Sequence, residues 1–338
     1  MRADARSFAS ARKERVADTD RWLKDLLRTA SPGGEGVALV AVGSLGRGEL
    51  APGSDLDLVL LHDGGEDIAR IADRIWYPIW DSGVGLDHSV RTVDEAVKVA
   101  REDLKAVLSL IQARHVAGDP ELTRRAREAV LAEWRADSRR RLAELREAAD
   151  KRAESTGELA FLLEPDLKDG RGGLRDVQAM QAVAAAWVAS APGPRVREAY
   201  ELILDVRHAL HVVTARGADR LVLQEQDAVA GTLGLLDAEA LMRRLAEAGR
   251  TISHAFDATW RTVDRLLSGP VPRGPPPAGR RRGRARGRGG PGPRRQPPHR
   301  PRARAAGRGR RRRVRAAAGP RHRVDAGQSV AADAGPVA

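Results

Sequence analysis

The sequence predicts a small α/β domain followed by an α-helical domain and a disordered tail rich in Arg, Pro and Gly. Two short apolar runs flank a Gly-rich polar stretch within residues 37–65, and runs of that length are typical of strands. From Val93 onward the apolar residues recur instead at helical spacing. All six Trp, both Tyr and all three Phe precede position 270, so the residues after it lack the means to build a core.

The elements follow in chain order. An amphipathic helix is predicted around Ser7–Thr29 and a break at Ser31–Gly36. A helix over residues 66–81 should bend or end at Pro78, and the alternation of Val84–Thr92 predicts a strand. The remaining predicted helices cover about 94–116, 120–153, 174–190, 195–216 and 236–267, with a glycine-rich loop at Leu163–Gly173.

These elements divide the chain into four segments. We expect an N-terminal helix at 1–30, an α/β domain at 31–120, a helical domain at 121–267 and a basic tail at 268–338. Residues 270–338 contain 20 arginines, no lysine and two acids, a net charge of +18, whereas the preceding 269 residues carry 39 basic and 44 acidic side chains, or −5. The overall charge of +13 therefore says nothing about the segments that can fold.

Three interpretations of the tail stay open. The tail results from translation of a GC-rich gene in the wrong frame, or it is a solvated segment without function, or it is a basic arm that binds nucleic acid. The third is the weakest, because the tail lacks interleaved aromatic residues that would stack on bases.

The composition also excludes several classes of protein. The 338 residues include no cysteine, which rules out a disulfide framework or a thiolate metal site. No apolar run approaches the roughly 20 residues of a membrane span, and the start shows no signal peptide. We therefore expect a cytoplasmic protein.

The most informative stretch places Gly43-Ser44 ten residues before Asp55-Leu56-Asp57. Asp55 and Asp57 are two apart on a strand, so both carboxylates lie on one face, and such a pair of like charges suits Mg²⁺.

Glycine followed by serine lets the backbone and a hydroxyl approach a triphosphate, and Arg47 in the same turn suits phosphate oxygens. The set is that of metal-assisted nucleotidyl transfer. The alternative is a solvated acidic loop edge, which the conjunction of strand, turn and second strand disfavours.

These residues resemble a known family. The segment that begins at Gly43, GSLGRGELAPGSDLDLVLL, resembles the active-site signature of the nucleotidyltransferase superfamily. Its GRGEL and PGSDLDL motifs resemble more specifically those of the PII-protein uridylyltransferases. Three further segments are similar to that family: DHSVRT (Asp87–Thr92), LEPDLKDGRGGLRDVQ (Leu163–Gln178) and ALHVVTARGADRLVLQEQ (Ala209–Gln226). The resemblance covers roughly residues 20–267 and implies a polymerase-β-like α/β nucleotidyltransferase domain.

By this resemblance the chain transfers UMP from UTP to a tyrosine of the PII nitrogen-regulatory protein, with Mg²⁺ as cofactor. Gly43, Ser44, Arg47 and Ser54 would bind the nucleotide. Asp55 and Asp57 would hold the metal and act in catalysis. Members of the superfamily carry a third carboxylate on a later strand, and Asp87 is the candidate for it here.

Three other functions remain as alternatives. One is adenylyl transfer from ATP to PII or to glutamine synthetase, and another is a nucleotide-sensing protein without catalysis. The third is nucleic-acid binding by the arginine tail. For none of these functions do we expect a membrane partner.

Full-length members of the family continue into an HD-type phosphohydrolase and paired ACT domains. No His-Asp dyad occurs in residues 270–338, so we expect a truncated or frame-shifted chain that lacks both.

A few other residues have two interpretations each. Lys168 and Arg175 can bind phosphate or PII, or can be surface charges. For His208 and His211 we favour core packing over a metal-binding pair, since no third ligand is near them in the sequence. A Trp76–Trp80 pair favours core packing over a platform for a nucleobase.

Overall fold

The computed structural model describes residues 8–34, 36–65 and 67–269, which belong to one compact unit. Its strands are β1 (Val37–Val42), β2 (Leu56–His62), β3 (Leu86–Thr92) and β4 (Arg114–Gly118). The helices of this part are α1 (Phe8–Ala30), α2 (Gly43–Arg47), α3 (Ile68–Asp81), α4 (Val93–Glu102), α5 (Leu104–Ile111), α6 (Pro120–Ala136), α7 (Ser138–Thr156), α8 (Leu174–Ala185), α9 (Pro194–Thr214), α10 (Leu223–Thr232) and α11 (Ala238–Ser268). The predicted tail, apart from Ser268 and Gly269, lies outside the described residues, and so does the basic arm that is one interpretation of it.

The strands form one mixed sheet in the order β3-β2-β1-β4. β1 runs antiparallel to both of its neighbours, and β2 runs parallel to β3. The predicted α/β fold followed by helices is confirmed. The domain boundaries at residues 31, 121 and 268 stay a prediction.

β2 is buried on both of its faces because helices cover the sheet on each side. Leu58 belongs to an apolar cluster with Leu23 of α1 and Ile75 of α3. Val59, on the opposite face, belongs to a second cluster with Trp134 of α6, which continues through the later helices to Trp260 of α11. Alternation along the strand therefore places Asp57 on the face of the second cluster.

Ion pairs fix the N-terminal helix to this frame. The buried guanidinium of Arg12 donates to Glu201 at 2.8 Å and to Asp205 at 2.7 Å, joining α1 to α9. Arg114 of β4 donates to both oxygens of Asp20 at 2.7 and 2.9 Å, and also to the carbonyl oxygen of Leu45 at 3.1 Å. The turn after β1 is thus linked to α1 through β4.

The structure corrects several predicted elements. The helix predicted over 94–116 is instead two helices followed by strand β4. The short, mixed sequence RHVAG of β4 gives no strand signal, and the strand is stabilised by its pairing with β1. The helix predicted over 120–153 is broken at Asp137, and α10 was not predicted. The helix α3 continues to Asp81 through Pro78, since Ile75, Trp76 and Ile79 hold it on the core.

Among the described residues, no helix has the length and apolar character needed to cross a bilayer.

His208 of α9 is a buried titratable group, only 5% exposed. Its ring packs against that of Phe8 with centroids 5.1 Å apart, and its Nδ1 has no hydrogen-bond partner among the described residues. Burial, followed by the charges of Arg12 and Arg15 and the neighbouring His211, lowers the pKa of His208 to about 4. The folded state therefore holds this ring neutral.

The position of His208 predicts a loss of stability in acid. In the unfolded chain a histidine gains its proton below about pH 6.5, whereas folded His208 gains one only near pH 4. Above pH 6.5 the ring is neutral in both states, so His208 causes no loss of stability. As the pH falls from 6.5 toward 4, the free energy of unfolding declines by up to about 1.4 kcal/mol per pH unit. We expect His208→Leu to flatten the free energy of unfolding across this window, as measured by urea denaturation.

The same substitution should change stability at pH 8 by less than about 1 kcal/mol, because it removes a buried polar atom without a partner. His254→Leu, at an exposed position of α11, is the matched control and should keep the acid sensitivity. An unchanged pH dependence in His208→Leu would contradict the assignment.

Candidate active site

Gly43 forms the turn that leads out of β1. Its φ is +59°, and a Cβ built there would overlap the carboxylate of Asp57, with Asp57 Cγ 2.7 Å away. Both the backbone conformation and the close approach therefore require glycine. Ser44 follows in the first turn of α2, half-buried beside the same strand. The predicted phosphate-binding pair thus lies directly against the predicted carboxylate strand.

The three predicted carboxylates lie near the same end of the parallel strand pair. Asp57 is paired in register with Asp87, so both project from the same face of the sheet. Asp55 precedes β2 and packs on Gly85, where any Cβ would overlap its carboxylate. Burial, then Asp87 and more weakly Asp55, raises the pKa of Asp57, while Arg47 and Lys105 act in the opposite direction.

This donor set fits a divalent cation held by oxygen ligands. Asp55 and Asp57 supply carboxylates on one face, and the glycines at 43 and 85 leave room for those carboxylates but not for a side chain. Within residues 8–34, 36–65 and 67–269, however, no three or more acidic or histidine side chains are gathered into a group that could hold a metal. The assignment of Asp55 and Asp57 as metal ligands, with Asp87 as a third carboxylate, stays a prediction.

Arg47 has internal partners as well as a position near the carboxylates. Its Nε donates to Glu49 Oε2 at 2.6 Å and its Nη1 to Gln112 Oε1 at 3.2 Å. The hydroxyl of Tyr200, on α9, donates to the other oxygen of Glu49 at 2.8 Å. The side chain of Arg47 thus connects the turn after β1 to the helical part of the chain, and a phosphate would have to share it.

Ser54 is tied to the same helix. Its Oγ accepts a hydrogen bond from Arg207 Nη1 at 3.4 Å and another from the backbone N–H of Ala51 at 3.3 Å. Sequence reasoning selected Ser54 for nucleotide binding but missed Arg207, Glu49 and Tyr200. Arg207 and Tyr200 carry no local signal, since their contacts join residues more than 150 positions apart.

The remaining candidates have structural partners. Lys168 lies 3.2 Å from Asp219, and Arg175 lies 2.8 Å from Asp169. His211 is 1% exposed, and both of its ring nitrogens have backbone partners, as the packing interpretation expects.

The glycine-rich segment before α8 also has a packing role. A Cβ on Gly172 would lie 2.5 Å from the carbonyl oxygen of Gly249, and a Cβ on Gly173 would lie 2.7 Å from that of Gly170. The glycines at 172 and 173 therefore let the segment pack closely on itself and on α11.

The tryptophan pair lies on the other side of the sheet from the carboxylates. Trp76 is 3% exposed and stacks near His88, whose neighbour Asp87 projects from the opposite face. Trp80 is 45% exposed, so its prediction as core is wrong, while that of Trp76 is confirmed. Neither ring faces the carboxylates, which argues against a platform for the nucleobase of a bound nucleotide.

Comparison with known families agrees with this geometry. Residues 21–117, which include the turn and all three carboxylates, match the family model described as a nucleotidyltransferase domain. Residues 139–190 and 180–260 match the model described as GlnD PII-uridylyltransferase. The chain belongs to the PII-uridylyltransferase family.

Similar PII-uridylyltransferases include several curated proteins named bifunctional uridylyltransferase/uridylyl-removing enzyme. That of Streptomyces coelicolor is 57% identical over 265 residues, which are 78% of this chain and 32% of the relative. That of Mycobacterium tuberculosis H37Rv is 46% identical over 242 residues, 69% of this chain and 30% of the relative. That of Corynebacterium glutamicum is 38% identical over 232 residues, 69% of this chain and 33% of the relative. The chain therefore spans about a third of the length of these relatives.

The contact between Gly43 and Asp57 predicts a coupling between the two positions. Gly43→Ala should destabilise the fold more than Gly48→Ala does. Both glycines have positive φ, but open space surrounds a Cβ at Gly48, so that variant carries only the backbone cost of roughly 1 kcal/mol. The measurement is the free energy of unfolding in urea.

The Asp57→Ala background is the control for this mechanism. Removing the carboxylate should bring the cost of Gly43→Ala close to that of Gly48→Ala, which a double-mutant cycle would report as a coupling energy. Equal costs for Gly43→Ala in both backgrounds would contradict the proposed overlap.

Proposed function

We propose that the chain is a Mg²⁺-dependent nucleotidyltransferase that transfers UMP from UTP to a tyrosine of the PII protein and releases pyrophosphate. The observation that carries this is the placement of the Gly43-Ser44 turn directly against Asp57, with Asp87 in register on the neighbouring strand. The matched family model supports the acceptor, because its description names PII. The relatives' name, uridylyltransferase, supports the transferred group.

The proposed reaction assigns each group a role. The tyrosine hydroxyl oxygen forms a bond to the α phosphorus of UTP, the bond from that phosphorus to the bridging oxygen breaks, and pyrophosphate leaves. The hydroxyl proton passes to one of the three carboxylates. Asp55 and Asp57 would hold Mg²⁺, which when bound neutralises charge on the phosphate oxygens.

The turn would hold the rest of the triphosphate. The glycine at position 43 lets the backbone approach phosphate oxygens, and Ser44 offers a hydroxyl donor beside it. Arg47 and Lys105 are the basic groups whose charges reach Asp57, so both lie within range of a bound anion. Ser54, held by Arg207, would complete the nucleotide-binding set at the other end of the loop. A cytoplasmic location belongs to the same proposal.

The test is to incubate the full chain with purified PII protein, Mg²⁺ and either UTP or ATP, and to follow the intact mass of the acceptor. We expect a gain of one uridylyl unit per modified subunit. A gain of one adenylyl unit instead would show that the base is adenine. No gain with either nucleotide, from chain shown to be folded, would overturn the proposed activity.

Asp57→Asn provides the matched loss of function. It removes one charge from the metal-binding pair and should reduce turnover by at least about 100-fold while preserving the fold. Asp73→Asn removes the same charge at an exposed position of α3 and should leave turnover unchanged. Retained turnover in Asp57→Asn would contradict the metal assignment.

A further inference from the structure

The loop before β2 sets the position of Asp55. We call residues 51–55 the carboxylate loop. Its turn is closed by the backbone N–H of Ser54, which donates to the carbonyl oxygen of Ala51 at 3.1 Å. On the sheet side, the N–H of Leu56 donates to the carbonyl oxygen of Gly85 at 2.7 Å. The other side of the loop faces the C-terminal end of α9.

His211 joins the loop to the segment that follows α9. The N–H of Gly53 donates to His211 Nδ1 at 3.2 Å, and His211 Nε2 lies 3.0 Å from the carbonyl oxygen of Ala218. Because Nδ1 accepts, the ring hydrogen lies on Nε2 and is donated to Ala218. Burial above all lowers the pKa of His211 to about 4, so the ring is neutral at neutral pH and Nδ1 remains an acceptor.

Arg207, one helical turn earlier, reaches the same loop. Its Nη1 donates to Ser54 Oγ at 3.4 Å, and its Nε donates to Asp219 Oδ1 at 2.6 Å. Lys168 lies 3.2 Å from the other oxygen of Asp219. Arg207 is therefore held in place by Asp219, whose carboxylate also pairs with Lys168. This fixes the position of the guanidinium beside Ser54.

The backbones of the loop and of the segment after α9 touch directly. A Cβ on Gly53 would lie 2.5 Å from the amide nitrogen of Gly217, and a Cβ on Gly217 would overlap the carbonyl oxygen of Gly53. Neither glycine has a positive φ, so space alone forbids a side chain here.

We propose that Arg207, His211 and Gly217 form a clamp that positions the carboxylate loop, and through it Asp55, for the transfer reaction. The clamp residues are positioning residues, since they act through Gly53 and Ser54 rather than on the substrate. The catalytic part of this proposal rests on the proposed function. A displacement of about 1 Å at a reacting group can cost 100-fold in rate, so the clamp should govern turnover more than nucleotide binding.

Gly217→Ala in the full chain is the first test. The added methyl should displace the loop and lower kcat by about 10- to 100-fold per folded molecule. KM for the nucleotide should rise by less than about threefold, because Ser54 is the one of the four proposed nucleotide-binding residues that lies in this loop. Gly231→Ala is the control, because Gly231 lies in α10 with open space around its Cβ position. A kcat for Gly217→Ala equal to that of Gly231→Ala would overturn the clamp.

A pair of substitutions at His211 separates positioning from simple packing. His211→Leu keeps apolar bulk but removes the acceptor for Gly53, so kcat should fall and amide exchange over residues 51–57 should accelerate by at least about tenfold. His211→Asn can place its amide oxygen near the position of Nδ1 and should restore much of both. Equal losses in the two variants would overturn the role of the hydrogen bond.

Hydrogen exchange also separates this proposal from the proposed function. If the wild-type chain transfers neither nucleotide, the activity proposal fails and exchange alone decides whether the clamp holds the loop. Accelerated exchange in both Gly217→Ala and His211→Leu supports the clamp, and unchanged exchange overturns it. In an active chain, accelerated exchange with unchanged kcat would overturn the catalytic role of the clamp.

Discussion

Repulsion among carboxylates is the constraint on which the rest of this structure depends. Asp55, Asp57 and Asp87 converge at one end of a parallel strand pair, and folding must hold them there against their like charges. Local sequence cannot do this alone, because the half-buried Asp57 has to be kept beside the two solvent-exposed carboxylates. The burial of β2 on both faces fixes the strand, and the glycines at 43 and 85 remove the side chains that would displace the carboxylates.

The helical part contributes to the same task from a distance in sequence. Tyr200 and Arg207, about two turns apart on α9, contact Glu49 and Ser54 at the two ends of the connection between β1 and β2. The connection is thereby supported at both ends by one helix. Segments that look like separate motifs in the sequence, around positions 43–61, 163–178 and 209–226, are thus joined in one network of contacts with Lys168 and Asp219.

The sequence predicts those features whose cause is local. The turn at Gly43, the alternation that places Asp55 and Asp57 on one face, and the helical periodicity after Val93 each depend on a few neighbouring residues. Strand β4 was missed because its stability comes from pairing with β1, some 75 residues earlier. The support from α9 was missed for the same reason, since a buried Arg or Tyr gives no indication of which distant loop it contacts.

The contact between Gly53 and Gly217 bears on how far the chain can be divided. A fragment ending at Gly118 would keep all three carboxylates and every strand of the described sheet. It would nonetheless lose the backbone against which the carboxylate loop rests. The two segments matched by separate family models are therefore not interchangeable modules, and replacing either in a chimera requires matching the surface of the other at these two glycines.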